Sequence, residues 1–306
     1  MKKNCNILIF TILLVGTFLC SHAASTATTT KKPSASARVS TNSAEKSVVV
    51  TVSVALKVFL QGAIDSTKNI ASMTNYLQAP NNPNISALLP VNNPYAAYPG
   101  YGDVQGRYTQ INNVSGPAKE VTDWVLVEIW GNVNTSAFPY TYDLVERRAF
   151  LLKPNGSVVD TNGLAPQFAP YAQSDVRVVV RHRNHMGVIS NNQFAFNAGA
   201  VVEYDFTTGL DKAFGFGMMS VPDPMVKNAD TKDAACLWGG DQNMDGQITP
   251  ADWTLFNPVY QSSSYGTYIL ADITLDGIVD AKDQRIIYPN YMKNTYSLLF
   301  YFSKKN

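Results

Sequence analysis

Residues 48–60 run Val-Val-Val-Thr-Val-Ser-Val-Ala-Leu-Lys-Val-Phe-Leu. Their β-branched residues and two-residue period predict a long strand. The same pattern predicts strands over 123–130, 147–152, 157–160, 175–183 and 200–206. Between 152 and 157 the segment Lys153-Pro154-Asn155-Gly156 carries the Asn-Gly pair that favours a tight hairpin turn. Helical periodicity is scarce before about residue 240. Strands with turn residues between them and no intervening helices predict a mostly β fold, an antiparallel β-sandwich over 47–225. A change of composition at Val221-Pro222-Asp223-Pro224 marks its expected end.

The amino terminus reads as an address. Lys2 and Lys3 precede an apolar run over 7–19, and Ser21-His22-Ala23 offers a small-x-small cleavage site. Residues 1–23 therefore read as a secretory signal peptide, too short in its apolar part to span a bilayer comfortably. Acylation at Cys20 is the weaker reading, because Leu19 stands where that processing wants a small residue. Residues 24–46 are rich in Ser, Thr, Ala and Lys and read as a flexible linker.

With a net charge of +1 and 45% hydrophobic residues, the chain shows no sign of nucleic-acid binding, and no later apolar stretch predicts a membrane span. Once Cys5 and Cys20 leave with the signal, Cys236 stands alone. A secreted chain without disulfides needs another staple, and a bound metal is a candidate.

The metal reading rests on two twelve-residue segments. In 241–252, oxygen-bearing side chains fall at positions one, three and five (Asp241, Asn243, Asp245). Gly246 stands at six, Gln247 offers a carbonyl at seven, and Asp252 closes at twelve. In 272–283 the same places hold Asp272, Thr274, Asp276, Gly277, the Ile278 carbonyl and Asp283, with Asp280 added at nine. Hard cations need this many oxygens from a short loop, so two calcium ions are expected. Neutral Thr274 predicts that the second loop is the weaker.

The runs Gly240-Asp241-Gln242-Asn243-Met244-Asp245-Gly246-Gln247-Ile248 and Ala271-Asp272-Ile273-Thr274-Leu275-Asp276-Gly277-Ile278-Val279 closely resemble the type I dockerin repeat. The resemblance spans about 237–289. It implies a small α module with a pair of EF-hand loops over 236–290, followed by a tail at 291–306. It also implies a short helix after each loop, the first of them cut at Pro258. Dockerins hold secreted proteins on cohesin scaffolds through loop positions ten and eleven, usually hydroxyl-bearing. Here these are Pro250-Ala251 and Ala281-Lys282, a departure that predicts calcium binding without recognition of an ordinary type I cohesin. The segments Leu56-Lys57-Val58-Phe59-Leu60-Gln61-Gly62, 121–130, 147–152 and 178–185 resemble a module found beside dockerin-like repeats in cell-surface proteins of Bacteroidota-type bacteria, which implies adhesion.

Two further features invite a site. His182 and His185 lie close in sequence, but strand alternation would point them to opposite faces, which predicts a structural role rather than a shared ion. Tyr95, Tyr98 and Tyr101 recur every third residue in a Pro-rich loop. In a polyproline-like conformation they would form a row able to stack on sugar or protein; otherwise they cover the sandwich edge. No Gly-x-Ser-x-Gly, His-Glu-x-x-His or phosphate-binding Gly loop is present.

Taken together, these features predict a non-catalytic secreted or cell-surface calcium-binding protein of adhesion or assembly, with an extracellular protein or glycan as partner. One alternative is a glycan-active enzyme or carbohydrate binder tethered by its tail. Another is a fibre subunit that self-assembles by adding the 48–60 strand to a neighbour's sheet.

Overall fold

The computed structural model describes residues 50–98, 100–104, 120–218 and 223–305. The expected signal peptide, linker and composition change at 221–222 lie outside the described residues. Val48–Asn306 forms one compact unit.

The chain is mostly β. In order, the strands are β1 (Val52–Lys57), β2 (Asp123–Asn134), β3 (Tyr140–Leu152), β4 (Ser157–Val159), β5 (Gln167–Phe168), β6 (Tyr171–His182), β7 (His185–Ile189), β8 (Phe194–Phe196) and β9 (Val201–Asp205). β10 (Gln247–Ile248), β11 (Thr295–Tyr296) and β12 (Phe302–Lys304) follow among the later elements. Ten strands join one sheet whose central path runs β1-β4-β3-β2-β6-β7. Most neighbours are antiparallel, but β9 runs parallel to β1 and β12 parallel to β3. The β3–β4 turn closes as its Asn-Gly pair predicts: the Gly156 N–H reaches the Lys153 carbonyl at 2.8 Å, and Gly156 takes φ +84°.

β2 is the spine. Asp123–Gly131 is buried at every residue, because both faces of the strand are covered. The Pro-rich loop before it supplies part of that cover: the Trp124 indole donates to the Pro90 carbonyl at 2.9 Å. The carboxy-terminal segment supplies another part: Leu299 joins Trp130, Val179 and Ile189 in a second apolar cluster. Residues 291–306 are thus integral to the fold, ordered by β11, a 3-10 turn over Leu298–Tyr301 and β12. Five large apolar residues in a row, 298–302, cannot remain in water without cost.

Among the described residues the two α-helices are α1 (Pro250–Gln261) and α2 (Ala281–Met292). Each starts with a capping box, Thr249 with Asp252 and Asp280 with Asp283. The expected break at Pro258 does not occur, and α1 continues to Gln261. Pro258 lacks only the N–H that would have reached back one turn, and it falls late in the helix. Packing of Phe256 against Trp253 (5.5 Å) and Tyr260 (5.6 Å) carries the helix past it. Pro289 occupies the equivalent place in α2, six residues after Asp283 as Pro258 is six after Asp252.

The carboxy-terminal loops are joined to the β region by backbone and core alike. Leu237 donates to the Phe59 carbonyl at 2.8 Å, Met186 to that of Trp238 at 2.8 Å, and Gly240 to that of Asn184 at 2.8 Å. Ile248, Phe256, Ile273, Leu275 and Ile287 belong to the same core as the strand residues Val54, Val125 and Phe150. A core shared in this way predicts cooperative unfolding. Leu299→Ala should cost about 2–4 kcal/mol and leave a single denaturant transition, measured by fluorescence and circular dichroism together. Two separated transitions would contradict the shared core.

Candidate metal centre and its attachment to the sheet

The two acidic loops fold alike and share most of their hydrogen bonds. In the first, the Asp241 carboxylate accepts the N–H of Asp245 at 3.1 Å and of Gly246 at 3.0 Å. In the second, Asp272 accepts those of Asp276 at 3.1 Å and Gly277 at 2.9 Å. Asp245 accepts the Gln247 N–H at 2.8 Å, and Asp276 accepts that of Ile278 at 3.0 Å. The closing carboxylates match too. Asp252 accepts from Gln242 and Thr249, both at 2.8 Å; Asp283 accepts from Ile273 at 2.8 Å and Asp280 at 2.9 Å. Position four is left-handed in both, Met244 and Leu275 at φ +59°. Gly277 also has no room for a Cβ, which would come within 2.7 Å of Leu88.

These turns bring the acidic residues inward. Asp241, Asp252, Asp272 and Asp283 are all buried, and none forms an ion pair among the described residues. Burial, then the neighbouring Asp252 and Asp245, pushes the Asp241 carboxyl well above its ordinary range. Asp252 rises chiefly through burial. Asp272 is pushed up to about 8 by burial, which overrides the relief from Arg183, and repulsion from Asp283 and Asp276 adds to the rise. Asp283 rises to about 6, again through burial first. Buried carboxylates in this condition favour either protons or a cation.

Not every predicted ligand faces the same way. Asn243 and Asp245 are exposed and joined to each other at 2.9 Å. The Thr274 hydroxyl donates to Asp283 at 3.0 Å. Lys282 donates to Asp276 at 2.7 Å, so the second loop already carries a countercharge of its own. Among the described residues, no three Asp, Glu, His or Cys side chains form a metal cluster by themselves. A hard cation here would need the amide of Asn243, the hydroxyl of Thr274 and the carbonyls of Gln247 and Ile278 as well. This mixture of oxygen donors fits calcium.

A buried polar cluster ties these loops to the sheet. Its centre is Asp123, which accepts from Arg183 Nε at 2.9 Å and the Tyr268 hydroxyl at 2.6 Å and lies 3.2 Å from His182 Nε2. Burial alone would raise the Asp123 pKa; the Arg183 guanidinium and His182 override it and hold the carboxyl far below its usual range. From the same turn, Asn184 donates to the carbonyls of Leu270 and Asp272, each at 2.7 Å, and Arg183 donates to that of Ile269. Below it, Asn290 of α2 donates to Gln61 at 2.8 Å and to the Gly239 carbonyl at 2.7 Å.

This cluster corrects the reading of the histidines. His182 and His185 do not diverge: their Nδ1 atoms are 3.0 Å apart. β6 and β7 are joined by the two-residue turn Arg183-Asn184, which makes His182 and His185 direct cross-strand partners after a register shift near Val180. Such partners share a face, whatever single-strand alternation implies. His185 Nε2 lies 2.7 Å from the Gln61 carbonyl, and burial lowers the pKa of both rings, so the pair is structural. Gln61, Arg183, Asn184 and Asn290 were not singled out by the sequence. An Asn in a two-residue gap between apolar runs was the available signal.

The tyrosine row is also corrected. Tyr95–Ala97 forms a 3-10 turn rather than a polyproline segment. Tyr95 is fully buried and donates to the Trp124 carbonyl at 3.0 Å, with Tyr98 tilted against it. Tyr101 lies beneath the Arg147 guanidinium, 5.0 Å from ring to cation. The three rings cover β2 instead of forming an open row, since burying an aromatic ring removes so much apolar surface from water.

No family model matches the chain, and no curated protein matches it. Among solved structures, the chain is similar to a chain of an N-terminal interface mutant of the type II cohesin–X–dockerin complex from Acetivibrio cellulolyticus. The identity is 12%, covering 57% of this chain and 82% of that one, with a TM-score of 0.30. A C-terminal interface mutant of the same complex matches at 12% identity, 56% and 82% coverage and a TM-score of 0.30. Likeness at this level is too loose to carry an argument.

The raised carboxyl pKa values set a pH dependence for metal-stripped protein. Folded Asp272 and Asp283 hold protons that the unfolded chain releases near pH 4, so their stabilising effect is complete below that pH. It is lost as pH rises through about 6 for Asp283 and about 8 for Asp272. Melting of stripped protein should therefore fall from pH 5 to pH 8. A rise over that window would contradict the assignment.

Proposed function

We propose that this chain is a non-catalytic extracellular calcium-binding protein of adhesion or assembly, whose two loops each take one calcium ion. The supporting observation is the pair of matching loops around four buried carboxylates that lack an ion-pair partner among the described residues. The first ion would be held by Asp241, Asn243, Asp245, the Gln247 carbonyl and Asp252. The second would be held by Asp272, Thr274, Asp276, the Ile278 carbonyl, Asp280 and Asp283. Bound calcium supplies positive charge that removes the mutual repulsion of these carboxylates. The protein's own residues then fix the loops in place: Asn184 holds the Asp272 backbone, and the capping boxes of α1 and α2 orient Asp252 and Asp283.

A dockerin-like tail is part of this proposal, with a restriction on its partner. Pro250-Ala251 and Ala281-Lys282 form the first turns of α1 and α2 and offer no hydroxyl. A cohesin surface built to hydrogen-bond hydroxyls would be left with unpaired polar groups on meeting them. The non-catalytic reading is supported by the use made of the strand carboxylates. Asp123 is buried against Arg183, and Glu128 lies 3.3 Å from Arg181 and 2.8 Å from the Trp130 indole nitrogen.

Calorimetric titration should find two calcium ions per chain. Asp241→Ala should abolish the tighter site, whereas Thr274→Ala should weaken the other several-fold, since one neutral oxygen contributes less than a buried charge. With free calcium at a hundred times Kd, each site should add about 2.7 kcal/mol to stability. No heat of binding, together with a melting curve indifferent to chelator, would refute the proposal.

A further inference from the structure

Beside the second loop lies an open cleft of about 900 Å³, lined in part by Ile278–Ala281 of that loop. Asn82 and Asn84 line it from one turn, and Tyr260 and Gln261 line it from the end of α1. Tyr265 stands at the rim, 70% exposed, the kind of aromatic residue that burial normally claims.

The rim is fixed, although its side chains are open. Tyr265 bridges Ile278, with Gly266 donating to the Gly277 carbonyl and Val279 to that of Ser264, both at 2.8 Å. Tyr260 is backed by its stack on Phe256. Asn82 uses its Oδ1 to accept the Asn84 N–H at 2.9 Å, which leaves its amide N–H groups facing away from that bond. Asn84 and Gln261 are exposed. Among the described residues, no lysine or arginine lines the cleft, and Asp280 is its one carboxylate.

We infer that this cleft binds a neutral saccharide chain. A sugar ring presents an apolar C–H face and a rim of hydroxyls that both donate and accept. An exposed tyrosine ring on a fixed backbone matches the face, with little side-chain entropy lost on binding. Amide side chains, which also both donate and accept, match the hydroxyls. The absence of basic lining disfavours an anionic ligand. The volume is that of a small-ligand site, and its open form admits a chain rather than an enclosed monomer.

The test is calorimetric titration of the whole protein, in calcium-containing buffer, with xylohexaose, mannohexaose and cellohexaose. At least one should bind, and Tyr265→Ala should weaken it at least tenfold without changing the melting temperature, because an exposed ring carries no core packing. Asn84→Ala should cost a few-fold. Failure of all three hexaoses to bind, binding that survives Tyr265→Ala, or tighter binding of an oligogalacturonate than of any neutral hexaose would overturn the inference. The inference stands on the cleft's side chains and not on the metal content of the loops.

Discussion

The two carboxy-terminal loops are built around the burial of four carboxylates. Asp241, Asp252, Asp272 and Asp283 are buried, and each accepts backbone N–H groups that shape its own loop. Those hydrogen bonds define the turns but do not neutralise charge. Burial therefore raises these carboxyls toward protonation, and the loops place further side-chain and carbonyl oxygens beside them.

The loops do not hold this shape alone. Asn184 binds the backbone of the second loop at its first acidic residue, and Arg183 beside it is neutralised by Asp123 at the start of β2. Asp123 in turn gathers Tyr268 and His182. A buried pair of this kind gains little net stability over an apolar one, but it admits few alternative arrangements. Here that arrangement fixes where the second loop meets the sheet. Gln61 and Asn290 do the same for α2 without any charge. The apolar core runs through both regions, so β sheet and loops are one body rather than a domain and an appendage.

Local features were legible in the sequence; relations between distant segments were not. The strand periodicities, the Asn155-Gly156 turn, both loops with Gly246 and Gly277, and the short helix after each loop all depend on neighbours in the chain. Those are the interactions that spacing encodes. The convergence of His182 with His185 depends on a two-residue turn and a register shift, which alternation within one strand cannot reveal. Tyr95 looked available because its loop is rich in Pro and Gly, yet the deciding fact was the Trp124 carbonyl 3.0 Å away, from a strand distant in sequence. The helix through Pro258 misled for a related reason. Intrinsic propensity speaks against it, and aromatic packing along α1, with Trp253 stacked on Tyr291 of α2, prevails. The parallel additions of β9 and β12 likewise follow from tertiary packing alone.

The central claim is that the two acidic loops and the β sheet form one cooperative unit joined through Asn184. Hydrogen-exchange mass spectrometry with and without calcium tests it most directly. The account predicts that chelation raises exchange across 241–252 and 272–283 and also in the 182–186 turn of the sheet. Opening of the loops while the 182–186 turn keeps its protection, or no change in either, would contradict it.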